Sequence, residues 1–177
     1  MDHADHVALL RGAVTPGEAW ADVGAGTGAF TLALADLLEP GGRIVAVDRD
    51  RGALTQNAEI VAQRYSNVEL QTLVADFTGL LELPELDGLV AANSLHFVAR
   101  DWQVDAVRAL AAHLRACGRF VVVEYDADHG NPWVPHPFAY ETWERMAAAA
   151  GLVDTHRLHR VPSRFLGAIY SAVAQRP

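Results

Sequence analysis

The stretch Trp20-Ala-Asp-Val-Gly-Ala-Gly-Thr-Gly-Ala-Phe30 joins a short apolar run, closed by the acid Asp22, to three glycines at alternate positions. It reads as a strand, a tight loop and the start of a helix. Gly24, Gly26 and Gly28 open backbone conformations denied to residues with a side chain, and they let a ligand approach the main chain closely. Thr27 to Leu38 then carries apolar residues at helical spacing. The loop, Ala25 included, therefore sits above a helix N-terminus whose free N–H groups favour polar or anionic atoms. A ligand is expected at this turn.

Working outward, residues 2 to 11 form a short helix through Val7, Leu9 and Leu10, broken by Gly12 and Pro16-Gly17. It belongs to an N-terminal segment, residues 1 to 19, too short to be a cap domain. On the other side, Glu-Pro-Gly-Gly42 turns the chain into a buried strand, Arg43-Ile-Val-Ala-Val-Asp48, which also ends in an acid. A helix over 51–64 leads to a third strand through Val68 to Ala75, closed by Asp76. Residues 87–92 make strand four and Asn93-Ser-Leu-His-Phe97 a loop. Asp101 then N-caps a helix that runs to about Ala116, with Val104, Val107, Leu110 and Leu114 toward the sheet. Gly118 to Glu124 is strand five, rich in β-branched residues. It empties into a segment of Pro, His and aromatic residues before a helix that Gly151 ends. Val153–His159 and Phe165–Val173 are separated by Pro162-Ser163, too little chain for a crossover, and pair as an antiparallel hairpin.

Strands alternating with helices predict a single α/β domain over residues 1–177, with a mixed seven-stranded sheet covered on both faces. The closing hairpin is expected to add an antiparallel edge strand. The chain is 51% hydrophobic and 20% charged, a globular balance, and no apolar run nears the roughly 20 residues of a membrane span. The acidic start lacks the basic and apolar regions of a secretory signal, so a cytoplasmic location is expected. A net charge of −8 with scattered basic residues disfavours nucleic acid as a partner. The lone cysteine, Cys117, reads as a small buried group at a helix end.

Strands ending in Asp22, Asp48 and Asp76, the Gly-x-Gly-x-Gly loop and the terminal hairpin together resemble the class I S-adenosylmethionine-dependent methyltransferases over essentially the whole chain. The resemblance implies that Gly24 and Gly26, with Asp22 and Ala25 beside them, admit the methionine end of the cofactor. It implies that Asp48, next to Arg49, holds the ribose hydroxyls, a task a carboxylate suits because it accepts two hydrogen bonds. Asp76-Phe77 matches the position that takes the adenine amino group and ring, and Asn93-Ser94 lies in the fourth motif, beside sulfonium and acceptor. That motif is not the Asn/Asp-Pro-Pro-aromatic version of many nucleic-acid and protein amide methylases.

Two alternatives stand beside it. Gly24, Gly26 and Ala29 also satisfy a dinucleotide-binding fingerprint, with Asp48 where a ribose acid belongs, which would make the chain an NAD(P)-binding oxidoreductase. A non-catalytic S-adenosylmethionine-binding protein is the other. Asp22, the Asp76-Phe77 pair and the hairpin favour the methyltransferase, whose product would be S-adenosylhomocysteine.

Methyl transfer requires alignment and, for a protic acceptor, a base. His96, just after strand four, is the candidate base by its near-neutral titration; packing is the other reading of it. Tyr125, His129, Trp133 and His136 crowd the segment after strand five as candidate pocket residues. Residues 126–137 with residues 1–15 are expected to cover the acceptor pocket. Asp126 and His129 beside Asp76 lack the spacing of a metal site, and no metal is expected. The expected acceptor is a small molecule, with a homodimer as one way to complete its pocket.

Overall fold

The computed structural model describes all of residues 1–177. In chain order the elements are α1 (His3–Leu10), β1 (Ala19–Val23), α2 (Ala29–Leu38), β2 (Arg43–Asp48), α3 (Arg51–Arg64), β3 (Glu69–Val74) and β4 (Leu86–Ala92). After a 3-10 turn at Leu95–Phe97 come α4 (Arg100–Ala111), β5 (Leu114–Tyr125), α5 (Tyr140–Ala149), β6 (Val153–Ser163) and β7 (Gly167–Gln175). The strands join one sheet in the order β3-β2-β1-β4-β5-β7-β6. No helix is long and apolar enough to cross a membrane.

Side chains alternate across the sheet and split the core in two. Trp20, Ile44, Val90, Val121 and Val123 meet α1, α2 and Val61 of α3 on one face. Ala21, Val23, Val47, Ala91 and Val122 meet α4 and α5 on the other, around Phe120, Phe138 and Trp143. Gly88 on β4 makes room for Trp20 on β1, since a Cβ there would fall 2.3 Å from the indole. The order reverses at β1, between β2 and β4, and chain leaves these two strands toward opposite faces. A crevice therefore opens at their carboxyl ends.

Several details depart from the sequence reading. β7, not the edge strand, is the antiparallel member, because its residues from Ala168 to Ala174 are all buried while β6 is mostly exposed. Pro162 and Ser163 lie within β6, paired with Ala168 and Gly167, and an edge strand tolerates the proline's missing N–H. The fourth helix stops at Ala111 and has no side-chain N-cap, Asp101 lying inside its first turn. Leu114 instead opens β5, and the register slips between the Leu86–Leu114 and Gly88–Arg119 pairs. Cys117 sits in this bulge, exposed and with φ 60°, not buried at a helix end. Its N–H donates to the Arg176 carbonyl (2.9 Å), so the bulge is stitched to the chain beyond β7.

Candidate active site

The loops after β1, β2, β3 and β4 converge on a cleft of about 380 Å³ lined by fourteen residues. Gly24 and Gly26 form its floor with φ of 76° and 52°, values that favour glycine. A Cβ on Gly24 would fall 2.5 Å from Ser94 Cβ, whereas one on Gly26 would meet no atom within 4 Å. The chain thus narrows at Gly24 and leaves open space at Gly26.

Asp48 is held rigidly at the tip of β2. Its Oδ2 accepts the Gly26 N–H and its Oδ1 the Asp50 N–H, each at 2.8 Å, which ties the glycine loop to the next strand. Each oxygen keeps a further lone pair for a ligand hydroxyl. Asp76 Oδ1 accepts from the Thr78 hydroxyl (2.7 Å) and N–H (2.9 Å). Those bonds lower its pKa, with a smaller contribution from Arg49, so Asp76 is ionised and offers Oδ2 to an amino group. Phe77 lies beside it in the wall. At the other end Asn93 Oδ1 and Ser94 Oγ are buried without partners. Unpaired buried polar atoms are costly, and ones that line a cleft are poised for a ligand. Asn93 adopts φ 50°, pinned by its N–H to the Val123 carbonyl at 2.8 Å.

Of the residues expected to meet the cofactor, Gly24, Gly26, Asp48, Arg49, Asp76, Phe77, Asn93 and Ser94 line the cleft, while Asp22 and Ala25 do not. Asp22 points beneath the loop, where its Oδ2 accepts the Thr31 hydroxyl at 2.7 Å, and Thr31 Oγ1 in turn accepts from Asn57 Nδ2 at 2.8 Å. The helix it supports begins at Gly28, which has no side chain to cap it. Burial, with a smaller push from Asp48, raises the Asp22 pKa to about 7. Ala25 packs against Ala46 and Leu54.

His96 lies behind the cleft, 3% exposed, with its ring 4.3 Å from that of Phe97, which does line the cleft. Its Nδ1 lies 3.0 and 2.9 Å from the two carboxylate oxygens of Glu124, itself fully buried at the end of β5. Burial raises the Glu124 pKa, and the hydrogen bond to His96 opposes that rise. Tyr125 N–H donates to the same carboxylate at 2.7 Å. With Glu124 ionised the bond fixes the tautomer that carries its proton on Nδ1, and Nε2 is left with a free lone pair and no protein partner. Glu124 was missed in the sequence, although a single acid closing an apolar, β-branched strand repeats the pattern of Asp22 and Asp48.

The segment after β5 is tied down at several points. Asp126 Oδ1 accepts the Tyr140 N–H and Asp128 Oδ1 the Ala139 N–H, both at the start of α5. Asp126 Oδ2 also accepts from Arg160 Nε at 3.1 Å. His136 N–H donates to the His96 carbonyl at 3.0 Å, and Gln103 Nε2 donates to the carbonyls of both His136 (2.8 Å) and Leu95 (3.2 Å). Tyr125 is half-buried, its ring 6.1 Å from His96. His136 is half-buried, and His129 and Trp133 are exposed. None of these four lines the cleft. Residues 1–15 do not either: α1 packs on α2 and β6 and buries Val7, Leu9 and Leu10 in the core.

A model of the methyltransferase domain matches residues 21–120. No curated protein sequence matches the chain. Among solved structures, 1,6-didemethyltoxoflavin-N1-methyltransferase of Burkholderia thailandensis, with bound 1,6-didemethyltoxoflavin and S-adenosylhomocysteine, superposes with TM-score 0.76 at 22% identity, over 98% of this chain and 77% of that one. An O-methyltransferase family 2 protein of Planctomyces limnophilus, in complex with apigenin, gives 0.75 at 18%, over 99% of this chain and 57% of the other. A SAM-dependent methyltransferase of Aquifex aeolicus gives 0.73 at 17%, over 98% and 90%. At such identities the structural likeness speaks to fold, and the family rests on the sequence match. S-adenosylmethionine is the family's cofactor, and the cleft fits it: two carboxylates for a diol and an amino group, an aromatic wall, and a glycine floor beside two orphaned polar atoms. The chain belongs to the methyltransferase domain family, and it is an S-adenosylmethionine-dependent methyltransferase of the class I fold.

Proposed function

We propose that the protein methylates a small-molecule acceptor that carries a removable proton, with His96 as the base. The observation that carries this reading is the His96–Glu124 pair, buried directly behind the cleft wall. When bound, the cofactor would supply an electrophilic methyl on its sulfonium, to which an acceptor lone pair could bond as the carbon–sulfur electron pair stays with the departing thioether. Asp48 would hold the ribose hydroxyls, Asp76 and Phe77 the adenine, and Gly24, Gly26, Asn93 and Ser94 the methionine end. Glu124 orients the imidazole and stabilises its charged form as Nε2 takes the acceptor's proton. A small acceptor is supported by the cleft's single basic side chain, Arg49, too few for a phosphate backbone. The small molecules bound by the Burkholderia and Planctomyces proteins point the same way.

The test is transfer of labelled methyl from S-adenosylmethionine to a panel of phenols, amines and thiols. On any acceptor found, His96→Ala is expected to lower kcat about a hundredfold or more and to leave S-adenosylhomocysteine affinity intact. Glu124→Gln, which keeps the side-chain shape and loses the charge, is expected to lower kcat as well and to move the acid limb of the kcat profile to lower pH, because no carboxylate then stabilises the imidazolium. Full turnover per folded His96→Ala molecule would make the histidine structural.

A further inference from the structure

The chain has four tryptophans and treats them in two ways. Trp20 and Trp143 are 0% exposed in the core, whereas Trp102 and Trp133 are 66% and 80% exposed. Both exposed ones lie on segments that meet: Arg100 in the first turn of α4 donates to the Asp128 carbonyl, and Gln103 Nε2 to the His136 carbonyl. Trp102 stands in the first turn of α4, four residues after Val98, which lines the cofactor cleft next to Phe97. Trp133 rides the segment that is bonded to the His96 carbonyl through His136 N–H, three residues further on. Phe97 itself is 63% exposed and completes the set.

Trp133 is not exposed because its segment is loose. Asn131 Oδ1 accepts the N–H groups of both Trp133 (2.9 Å) and Val134 (3.0 Å), and Asn131 and Val134 form an isolated bridge. Gly130 lies so close under the returning chain that a Cβ would fall 2.3 Å from the Pro135 carbonyl oxygen. Pro132, Pro135 and Pro137 restrict the backbone further. A tight, proline-stiffened turn thus holds a large apolar ring in water, at a cost that only a partner can recover.

We propose that Phe97, Trp102 and Trp133 form an aromatic rim that receives the acceptor, and that the acceptor is a flat aromatic molecule bearing a hydroxyl or ring N–H. The proposal rests on the small-acceptor reading and specifies its chemistry. The rim reaches the cleft through Phe97, whose ring is 4.3 Å from that of His96 and tilted 56° to it. Ring faces select planar π-systems over saturated skeletons of equal size through their quadrupole, beyond the area they bury.

The experiment uses 2-naphthol, a hydroxyflavone and decahydro-2-naphthol, the saturated counterpart of the first, with binding to the wild-type chain followed by ligand-observed NMR. S-adenosylhomocysteine is titrated first, and its failure to bind would remove the underlying cofactor reading before the rim is examined. With it bound, the flat probes are expected to bind about tenfold or more tighter than decahydro-2-naphthol, and Phe97→Ala and Trp133→Ala each to weaken them about fivefold. Both side chains are exposed, so the variants keep the fold, which circular dichroism checks. Equal binding of flat and saturated probes, or flat-probe binding unchanged in both variants, overturns the proposal. So does a wild-type dimer in sedimentation that Trp133→Ala dissociates, because the rim then belongs to a second copy of the chain.

Discussion

Asp22 shows how a residue can belong to a cofactor motif without touching the cofactor cleft. It lies beneath the glycine loop, hydrogen-bonded to Thr31 and one step from Asn57, so its task is to hold the start of α2 under the loop. Burial raises its pKa from 3.8 to about 7. A raised carboxyl keeps its proton in the folded state where the unfolded chain has lost it, so its penalty on folding grows from about pH 4 to about pH 7 and is complete above that. Asp22→Asn keeps the shape and removes the ionisation. Urea unfolding is expected to show the variant gaining about 1–3 kcal/mol on wild type at pH 8 and nothing at pH 4. A deficit equal at both pH values would mean that the carboxylate is ionised in the fold. The sequence marked Asp22, Asp48 and Asp76 alike, as acids closing strands. It did not separate the one that points under the loop from the two that face the cleft, because facing depends on the sheet register. Glu124 was legible as the fourth of the set, and its meaning was not, because His96 approaches it only through the parallel pairing of β4 with β5.

At the scale of elements, the junction of α4 and β5 shows where periodicity misleads. Leu114 continues the helical spacing of Val107 and Leu110, yet the chain has already turned, and Leu114 reaches the same core from the strand. The helix end is completed from far away. Arg176 donates through Nη1 to the carbonyls of Ala112 (2.9 Å) and Leu114, and its backbone N–H bonds to the Gly118 carbonyl at 2.9 Å. No local capping signal could disclose a cap supplied by the last residues of the chain. Arg176→Ala is expected to cost about 1–3 kcal/mol, by removing a charged donor from two carbonyls. Hydrogen exchange should speed up at Cys117 and the residues beside it, and unchanged exchange there would show that the bulge holds itself. The hairpin was better announced than it was read. The apolar run of β7 and the arginines and proline of β6 already distinguish an interior strand from an edge.

For the whole molecule, the order β3-β2-β1-β4-β5-β7-β6 accounts for the site. It places the reversal at β1, gathers the loops after the first four strands into one cleft and sets Glu124 of the fifth behind it. The alternation of strands and helices carried most of this, since parallel strands bring their carboxyl ends to one edge whatever the details. The segment over 126–137 was located by the same rule, but its partners were not, because they are backbone groups of the loop after β4 and a glutamine of α4. The N-terminal helix, expected over the acceptor pocket, packs on α2 and β6 through Val7, Leu9 and Leu10 and does not line the cofactor cleft.

The Asp48 carboxylate, proposed to take the ribose hydroxyls, is what the cofactor's hold on the cleft depends on. Calorimetric titration of S-adenosylhomocysteine into wild type and Asp48→Ala tests it without any knowledge of the acceptor. Wild type is expected to bind one equivalent and the variant to bind roughly 30- to 700-fold more weakly, about 2–4 kcal/mol for two charge-assisted hydroxyl contacts partly replaced by water. Equal affinity in a folded Asp48→Ala variant, or no binding by wild type, would contradict it.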